Sequence, residues 1–415
     1  MNQKVSPLTK LAILLIQFCT GSIAICMASI ETISRLYPNV SQALVLMVGT
    51  IPTLAAIVVS LVSVGFYRVL GYKKTAIVAI LLVAVGGSIP AMISGFSVIL
   101  ISRLIVGVGY GLCAVLPQTM ISIYLYGDKS QSNYYGYGVA MLGIAGVVLG
   151  QLGGILTNIN INLMWLIHLS FLLVLPVILI GVKEPSAELL DKIEASSSED
   201  EPTNDENFKK SKKAIPSVFF LLLVFHFLIG SVNMTWYSNS SYVVAERGVL
   251  NAAVFAGTIV AAYNAGQMLG GFSVGRISRI TRQYSIVFGT VVGIVAFALT
   301  WLSGSKALLL AAGLLAGYAD AFQYSTAFAT CGYMVPGRKN GLAVGMMNAA
   351  VQGGCFFGPY IPMYIAAAMN GSHIMQMGII TVIAVVNIVV YGCVLMTKHC
   401  QSLRDGFAKL NQEGN

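Results

Sequence analysis

Two ionisable side chains stand inside otherwise apolar stretches of this 415-residue chain: Arg103 in "SRLIVGVGYG" and Asp320 in "GYADAFQYS". A charge in apolar surroundings is costly unless it is paired, so each reads as functional by default. Arg103 could bind an anionic group or modulate the proton affinity of a nearby carboxylate. The alternative is a guanidinium satisfied by helix-end carbonyls or water. Asp320 is a candidate proton or substrate site, because a carboxyl in a partly dry cavity can take and release a proton near neutral pH. Its alternative is a permanent ion pair or a capped polar contact. Glu31, in "MASIETISRLYP", stands where an apolar run ends and faces either a cavity or the outer water. Glu246 and Arg247, adjacent in a break between runs, read as a solvated surface pair.

Uncharged polar residues supply the rest of the candidate chemistry. The stretch "FHFLIGSVNMTWYSNSSY" places His226, Asn233, Trp236, Tyr237 and Asn239 in one apolar run. Other runs contribute Gln17, Thr20 and Ser22; Tyr263, Asn264 and Gln267; Gln323 and Tyr324; and Asn348 and Gln352. A polar stripe in lipid must face protein or water. Taken singly, such a residue is expected to bond a neighbouring helix, worth about 1 kcal/mol or less. Taken together, the set is expected to line one cavity and touch substrate. His168 is expected to be a packed residue. The seven cysteines form no C-x-x-C pair, so neither a disulfide framework nor a zinc site is indicated. No nucleophile–base constellation appears, so the chain is not expected to be an enzyme or to need a cofactor or metal.

The elements that position these residues follow from composition. The chain is 57% hydrophobic and 9% charged, against about a quarter charged in a soluble domain. Nine of its fifteen acids fall between Glu184 and Glu206, so the net charge of +9 arises from short basic loops and does not point to nucleic acid. A bilayer core needs about 20 apolar residues in a helix. Twelve runs qualify, near 9–30, 42–64, 75–94, 97–120, 136–156, 163–182, 215–238, 252–273, 284–303, 307–330, 342–368 and 375–396. Residues 183–214 are rich in Ser, Glu, Asp and Lys and are expected to form a mobile linker. With the N-terminus inside, the inner loops carry Arg68, Lys73, Lys74, Lys129, Arg276, Arg279, Arg282, Arg338 and Lys339, and the outer loops only Arg35, Arg247 and Lys306. That bias places both termini and the linker on the cytoplasmic side of a plasma (inner) membrane. Trp165, Trp236 and Trp301 fall near outer helix ends, as an aromatic belt would place them. Tyr134, Tyr135 and Tyr137, at the inner start of run five, are expected at the interface. The N-terminal run reads as a retained helix rather than a cleaved signal.

The chain also repeats itself. At an offset of 208 residues, Gly49-Thr50 maps to Gly257-Thr258, Arg68 to Arg276, Gly109-Tyr110 to Gly317-Tyr318, and Gly146 and Gly150 to Gly354 and Gly358. Constant spacing from the second run to the fifth reads as two homologous six-helix halves, an organisation of transporters with a site at the interface between halves. The division expected is 1–182 and 215–398 as the two bundles, 183–214 as linker and 399–415 as a tail. Gly146, Gly150, Gly153 and Gly154 in run five, and Gly354, Gly358 and Pro359 in run eleven, would permit close helix packing, with a kink in the second. Such packing suits either a rocking interface or a static one.

Twelve helices as six plus six, with a charged linker, resemble the major facilitator superfamily. Its fourth-helix pattern, an arginine followed by spaced glycines, is present as Arg103, Gly107, Gly109 and Gly111. Its fifth-helix antiporter pattern, G-x-x-x-G-P-x-x-G-G, is echoed by "GVVLGQLGG", with Gln151 in place of proline and an end one residue shorter. Its loop pattern G-x-x-x-D-R-x-G-R-K is echoed by "VGFYRVLGYKK", with Arg68 in the aspartate's place. The repeat, "GFSVGR", has Gly275 there. The resemblance implies an all-α membrane fold and a monomeric secondary transporter that binds a small molecule and protons. The expected function is proton-coupled movement of a small polar organic solute, organic anions included, by alternating access. Efflux of drugs or amphiphiles by antiport is the alternative, and a non-transporting sensor acting through the linker ranks below both.

Overall fold

In a computed structural model, residues 5–27, 29–126, 128, 130–186, 189, 215–249, 252–335, 339–369 and 371–401 are described. Most of the linker (187–188 and 190–214) and residues 402–415 of the expected tail lie outside them, as do Lys129 and Arg338.

Each apolar run folds as a helix because a chain in lipid must satisfy its own backbone polar groups. Helix α1 spans Pro7–Met27, with Pro7 in its first turn, where no donor is lost. Ser6 Oγ caps it by accepting from the Thr9 N–H at 3.1 Å. A 3-10 turn at Cys19–Gly21 interrupts it at mid-length. A short helix, Ile30–Leu36, follows. Next come α2 (42–70) and α3 (72–92), one helix from Gln42 to Met92 broken only at Gly71. The break has φ 77°, a conformation glycine adopts without a Cβ clash.

"YRVLGYKK", expected as a loop, is therefore helical on both sides of a single hinge residue. Glu184 fixes this hinge: its carboxylate accepts from the backbone N–H groups of Tyr72 at 2.8 Å and Lys73 at 2.9 Å. Those are orphan donors at the start of a helix, where a negative charge is favourable. The acid missing from the loop is thus replaced by one at the exit of the sixth helix.

Helices α4 (Phe96–Tyr124) and α5 (Gln131–Ile159) are long and continuous. Helix α6 spans Ile161–Gly181 and passes through a 3-10 stretch, Ile167–Val174, just before Pro176. The second six are α7 (Ser217–Glu246), α8 (Ala252–Thr281), α9 (Ser285–Leu302), α10 (Lys306–Met334), α11 (Asn340–Phe357 continued by Tyr360–Ala368) and α12 (His373–Met396). Helix α11 is interrupted at Gly358–Pro359, where a kink was expected, and both residues keep right-handed helical angles. At the turn from α8 to α9 the positive φ belongs to Arg282, at 53°.

Among the described residues, nine helical stretches are long and apolar enough to cross a membrane; two of them, Met47–Met92 and Gly257–Leu302, are 46 residues long and hold two crossings apiece. The interrupted α11 completes the twelve. Helix α12 shows the pattern that makes this a membrane bundle. Val382, Val385, Val386 and Val389 are exposed, while Ile380, Ala384, Asn387 and Tyr391 are buried. One apolar face meets lipid and the other meets protein.

Two surface expectations are corrected. Glu246 and Arg247 are not a solvated pair: Glu246 accepts from the N–H groups of His373 at 3.0 Å and Ile374 at 3.1 Å, capping α12. Arg247 donates to the carbonyls of Thr300, at 2.9 Å, and Trp301, at the end of α9. The aromatic belt is also reduced. Trp301 is 40% exposed, but Trp165 and Trp236 are buried inside the bundle, as is Tyr135 of the expected interfacial tyrosines.

Small residues set the helix spacing. Gly107 and Gly111 face α2, Gly109 faces α3, Gly146 faces α8, Gly153 faces α1, and Gly354 and Gly358 face α7. Gly150 has more room, with Ala24 3.8 Å from the position of an added Cβ, and Gly154 is half-buried. The fifth-helix glycines therefore divide between a neighbour in their own half and one in the other. Across the halves, α5 meets α8 where Gly136 faces Gly271. Helix α11 meets α2 where Asn348 Nδ2 donates to Ser60 Oγ at 2.6 Å, and it meets α4 where Ser122 donates to Asn340. These contacts lie toward the end that carries the α2–α3 and α8–α9 turns, called here the linker end.

Candidate functional site

A cavity of about 180 Å³ lies between the halves, lined from α1, α2, α4, α5, α7, α8, α10 and α11. One water needs only ~10–15 Å³ of such space, so the cavity has room for a small solute. Its most polar wall is built by α7, α8 and α10. Asp320 Oδ1 accepts from Asn233 Nδ2 at 2.8 Å, and Oδ2 accepts from Gln267 Nε2 at 2.6 Å. The Tyr263 hydroxyl bonds the same carboxylate. All three partners are neutral. Asn233 also donates to Gln323 Oε1 at 2.7 Å, and Gln323 Nε2 donates to Thr290 at 3.2 Å. Asp320 therefore ends a chain of amides that runs back into the bundle.

Aromatic rings hold this wall in place. Tyr263 stacks on Trp236 at 5.6 Å and packs against Tyr237 at 5.0 Å. Trp236 Nε1 donates to Thr300 Oγ1 at 2.8 Å, which fixes the indole behind Tyr263. Tyr237 in turn bonds Asn264. His226 lines the cavity with Nδ1 against the Leu222 carbonyl at 2.7 Å. Its Nε2 has no partner, and if Nδ1 carries the proton, Nε2 is an acceptor. Opposite, Tyr324 bonds Gln17, which accepts from Gln118 Nε2 at 2.9 Å. Gln352 bonds Tyr110 and keeps its Nε2 unpartnered.

Of the residues expected at a site, the fold brings Asp320, His226, Asn233, Tyr237, Tyr263, Asn264, Gln267, Gln323, Tyr324 and Gln352 to this one cavity. Thr20 lines it too, while Gln17, Ser22, Asn239, Trp236, Asn348 and Arg103 are placed elsewhere. Trp236 stands one layer behind the wall. Asn348 is spent on Ser60 across the α2–α11 contact. Arg103 is fully buried within the first half: its guanidinium donates to Cys26 Sγ at 2.8 Å, lies 3.1 Å from His168 Nε2 and sits over the Trp165 ring at 5.4 Å. Among the described residues it touches neither the cavity lining nor a carboxylate, and His168 is packed against it as its partner. The side chain of Glu31 lies outside the described residues. Missed by sequence were Tyr110, Thr53 and Cys355. Tyr110 carried a signal, since it belongs to the repeated Gly-Tyr pair of the fourth and tenth helices. Among the described residues, no group of three or more His, Cys, Asp or Glu could hold a metal ion.

The sequence profile of the Major Facilitator Superfamily matches residues 11–359 and, in a second overlapping match, 231–405. The chain belongs to this superfamily. Solved structures agree on the fold. The human organic anion transporter MFSD10 (TETRAN) aligns with a TM-score of 0.72 at 14% identity, covering 93% of this chain and 99% of its own. The proton:xylose symporter XylE aligns with a TM-score of 0.72 at 13% identity, covering 95% and 96%. The transporter FucP in its outward conformation aligns with a TM-score of 0.66 at 13% identity, covering 93% and 98%. No curated protein matches the sequence. At these identities the likeness concerns the fold. Membership in the superfamily makes the chain a multi-pass membrane transporter whose twelve helices form two six-helix bundles.

Proposed function

We propose that this superfamily member moves a small polar organic solute across the membrane by alternating access, coupled to protons. One observation carries the reading: Asp320 is a carboxylate on the wall of an inter-half cavity, bonded among the described residues by neutral donors alone. A carboxylate accepts at both oxygens, whereas a protonated carboxyl must donate from one of them. A proton on Oδ2 would face the Gln267 donor, which would have to turn away. A proton on Oδ1 would face Asn233 and disturb its link to Gln323. Protonation thereby changes the shape and hydrogen-bonding of the wall a solute touches. His226 Nε2 and Gln352 Nε2 are an unfilled acceptor and donor for that solute.

In this reading residues 1–182 and 215–398 rock against each other, the termini and linker are cytoplasmic as the lysine and arginine bias suggests, and the protein works as a monomer in the plasma membrane. The test is transport by purified protein in liposomes, over a panel of organic anions, sugars and amphiphiles, with and without a pH gradient. Accumulation of a polar solute driven by the gradient is expected. Flux that ignores the gradient for every solute would remove the coupling.

Efflux of amphiphiles is the second reading, favoured by Ile23, Met27, Leu142 and Met234 on the remaining wall. Methionines adapt to varied apolar shapes. Drug resistance on overexpression, with amphiphiles as the best substrates in liposomes, would select it.

A further inference from the structure

The described lining of the central cavity carries one acid, Asp320, and no lysine or arginine. Its other polar groups are two threonines, five amides, the Cys355 thiol, the His226 imidazole and four tyrosine hydroxyls. Arg103, the basic residue inside the first half, is sealed among Cys26, His168 and Trp165. The tyrosines come from four helices: Tyr110 from α4, Tyr237 from α7, Tyr263 from α8 and Tyr324 from α10. Tyr110, Tyr263 and Tyr324 stand close enough to Asp320 for its charge to act on them. Asp320, Tyr110, Tyr237 and Tyr324 are each only partly buried. Asp320 accepts from Asn233, Gln267 and Tyr263. A carboxylate has about four lone-pair sites, so one remains for a donor on a ligand.

A carboxylate among aromatic rings, with no cation in the described lining, suits a positive ligand. The face of an aromatic ring attracts a cation, more strongly when water is excluded. An anion would meet Asp320 with like charge at low dielectric. A neutral sugar would leave the carboxylate's charge without a counter-charge. We propose that the central cavity takes a small organic amine in its protonated form. The ammonium group sits on Asp320 among the tyrosine rings, and the apolar body of the amine lies along Ile23, Met27, Leu142 and Met234. This rests on reading the cavity as the transport site and narrows the solute to a monocation. It also sets the form of coupling, because the ammonium and a proton compete for one carboxylate. When protonated Asp320 takes up the ammonium, its O–H bond breaks, the proton leaves to water and an ion pair replaces it. One positive charge arrives and one departs, so amine and proton exchange without net charge.

The test is calorimetric binding of phenethylamine, phenethyl alcohol and phenylpropionate to the full-length protein in detergent. The three share a body and differ in the charge of the head. Phenethylamine is expected to bind at least about tenfold more tightly than the other two. Its affinity should fall as the pH is lowered from about 8 to about 5, a range in which a primary amine stays protonated. Of the titratable groups around Asp320, which are the four tyrosines, Cys355 and His226, only His226 ordinarily changes charge in that range. Asp320→Asn should weaken the amine at least about thirtyfold and flatten the pH dependence, whereas His226→Gln should keep that dependence. Tyr324→Leu should weaken the amine about fivefold, and Tyr324→Phe, which keeps the ring, should restore most of it. Equal binding of the three probes, tighter binding of phenylpropionate, unchanged amine affinity in Asp320→Asn, or a pH dependence that vanishes in His226→Gln would each overturn the proposal. Unfolding temperatures of the variants separate lost binding from lost fold. Amine that binds but is not carried in liposomes would remove the transport reading and leave the site. Gradient-driven flux of a sugar or an organic anion, with no amine binding, would do the opposite.

Discussion

The two ionisable groups that sequence marks as equivalent have opposite surroundings. Asp320 stands on a cavity wall, its oxygens held by Asn233, Gln267 and Tyr263 from neighbouring helices. Arg103 is sealed among Cys26, His168 and Trp165 within the first six helices. Both are costly in apolar surroundings. Asp320 has amide partners that can rearrange and space to do so. Among the described residues Arg103 has a thiol, an imidazole and an indole face, all packed. The difference teaches that rarity of a charge in a membrane helix identifies an expensive residue, and only the neighbours say whether the expense serves transport or packing.

The comparison can be broken most directly at Asp320. Asp320→Asn keeps the side chain's size and removes its proton site. Gradient-driven uptake in liposomes should fall at least about a hundredfold, the lower end of what a positioned proton-transfer group contributes, while solute exchange persists. Undiminished uphill transport would take Asp320 out of the mechanism. Arg103→Ala should show the reverse pattern. It leaves a void and strands His168 and Trp165, at a cost of about 2–4 kcal/mol. The unfolding temperature in detergent should drop, with KM for the solute unchanged in protein that folds. A changed KM with unchanged stability would place Arg103 in transport after all.

A smaller effect is expected one layer behind the cavity. Trp236→Phe keeps a ring under Tyr263 but loses the bond to Thr300, a loss of about 1 kcal/mol. That should raise KM by about fivefold if it is passed to the wall, whereas Asn348→Ala should leave KM unchanged. The smallest effects on transport belong to the hinge at the linker end. Gly71→Ala, at φ 77° and ψ 173° and with Glu184 Oε1 2.6 Å from the added Cβ, should cost about 1–3 kcal/mol of stability. Glu184→Gln should cost less, since the amide oxygen can still accept from one of the two N–H groups. Equal losses at Gly71 and Asp320 in uphill transport would dissolve the contrast between the site and its scaffold.

Much of the site was legible because helix α7 is too polar for lipid. His226, Asn233 and Tyr237 had to face protein or water, and the repeat offset brought α10 and α11 to the same interface. Direction around the helix was less legible. Trp236 and Tyr237 are neighbours in sequence, but each residue turns a helix by about 100°, so one lines the cavity and the other backs it. Asn348 and Gln352 lie one turn apart on α11, and only their depth along the bundle separates a seam contact from a cavity contact. The α2–α3 turn read as a loop because its basic residues interrupt an apolar run. Helical hydrogen bonding continues through them up to Gly71. The capping role of Glu184 left no local signal, since its partners are more than a hundred residues away.

Sequence by itself determined that this is a twelve-helix membrane protein with two related halves, because apolar length, glycine spacing and the placement of charges are properties of the chain read in order. It also determined which residues are expensive. Tertiary structure decided which of them meet. Whether Asp320 faces solvent-sized space and Arg103 faces packed rings depends on how helices distant in sequence rotate and cross, and that is settled by the close approaches of small residues between them.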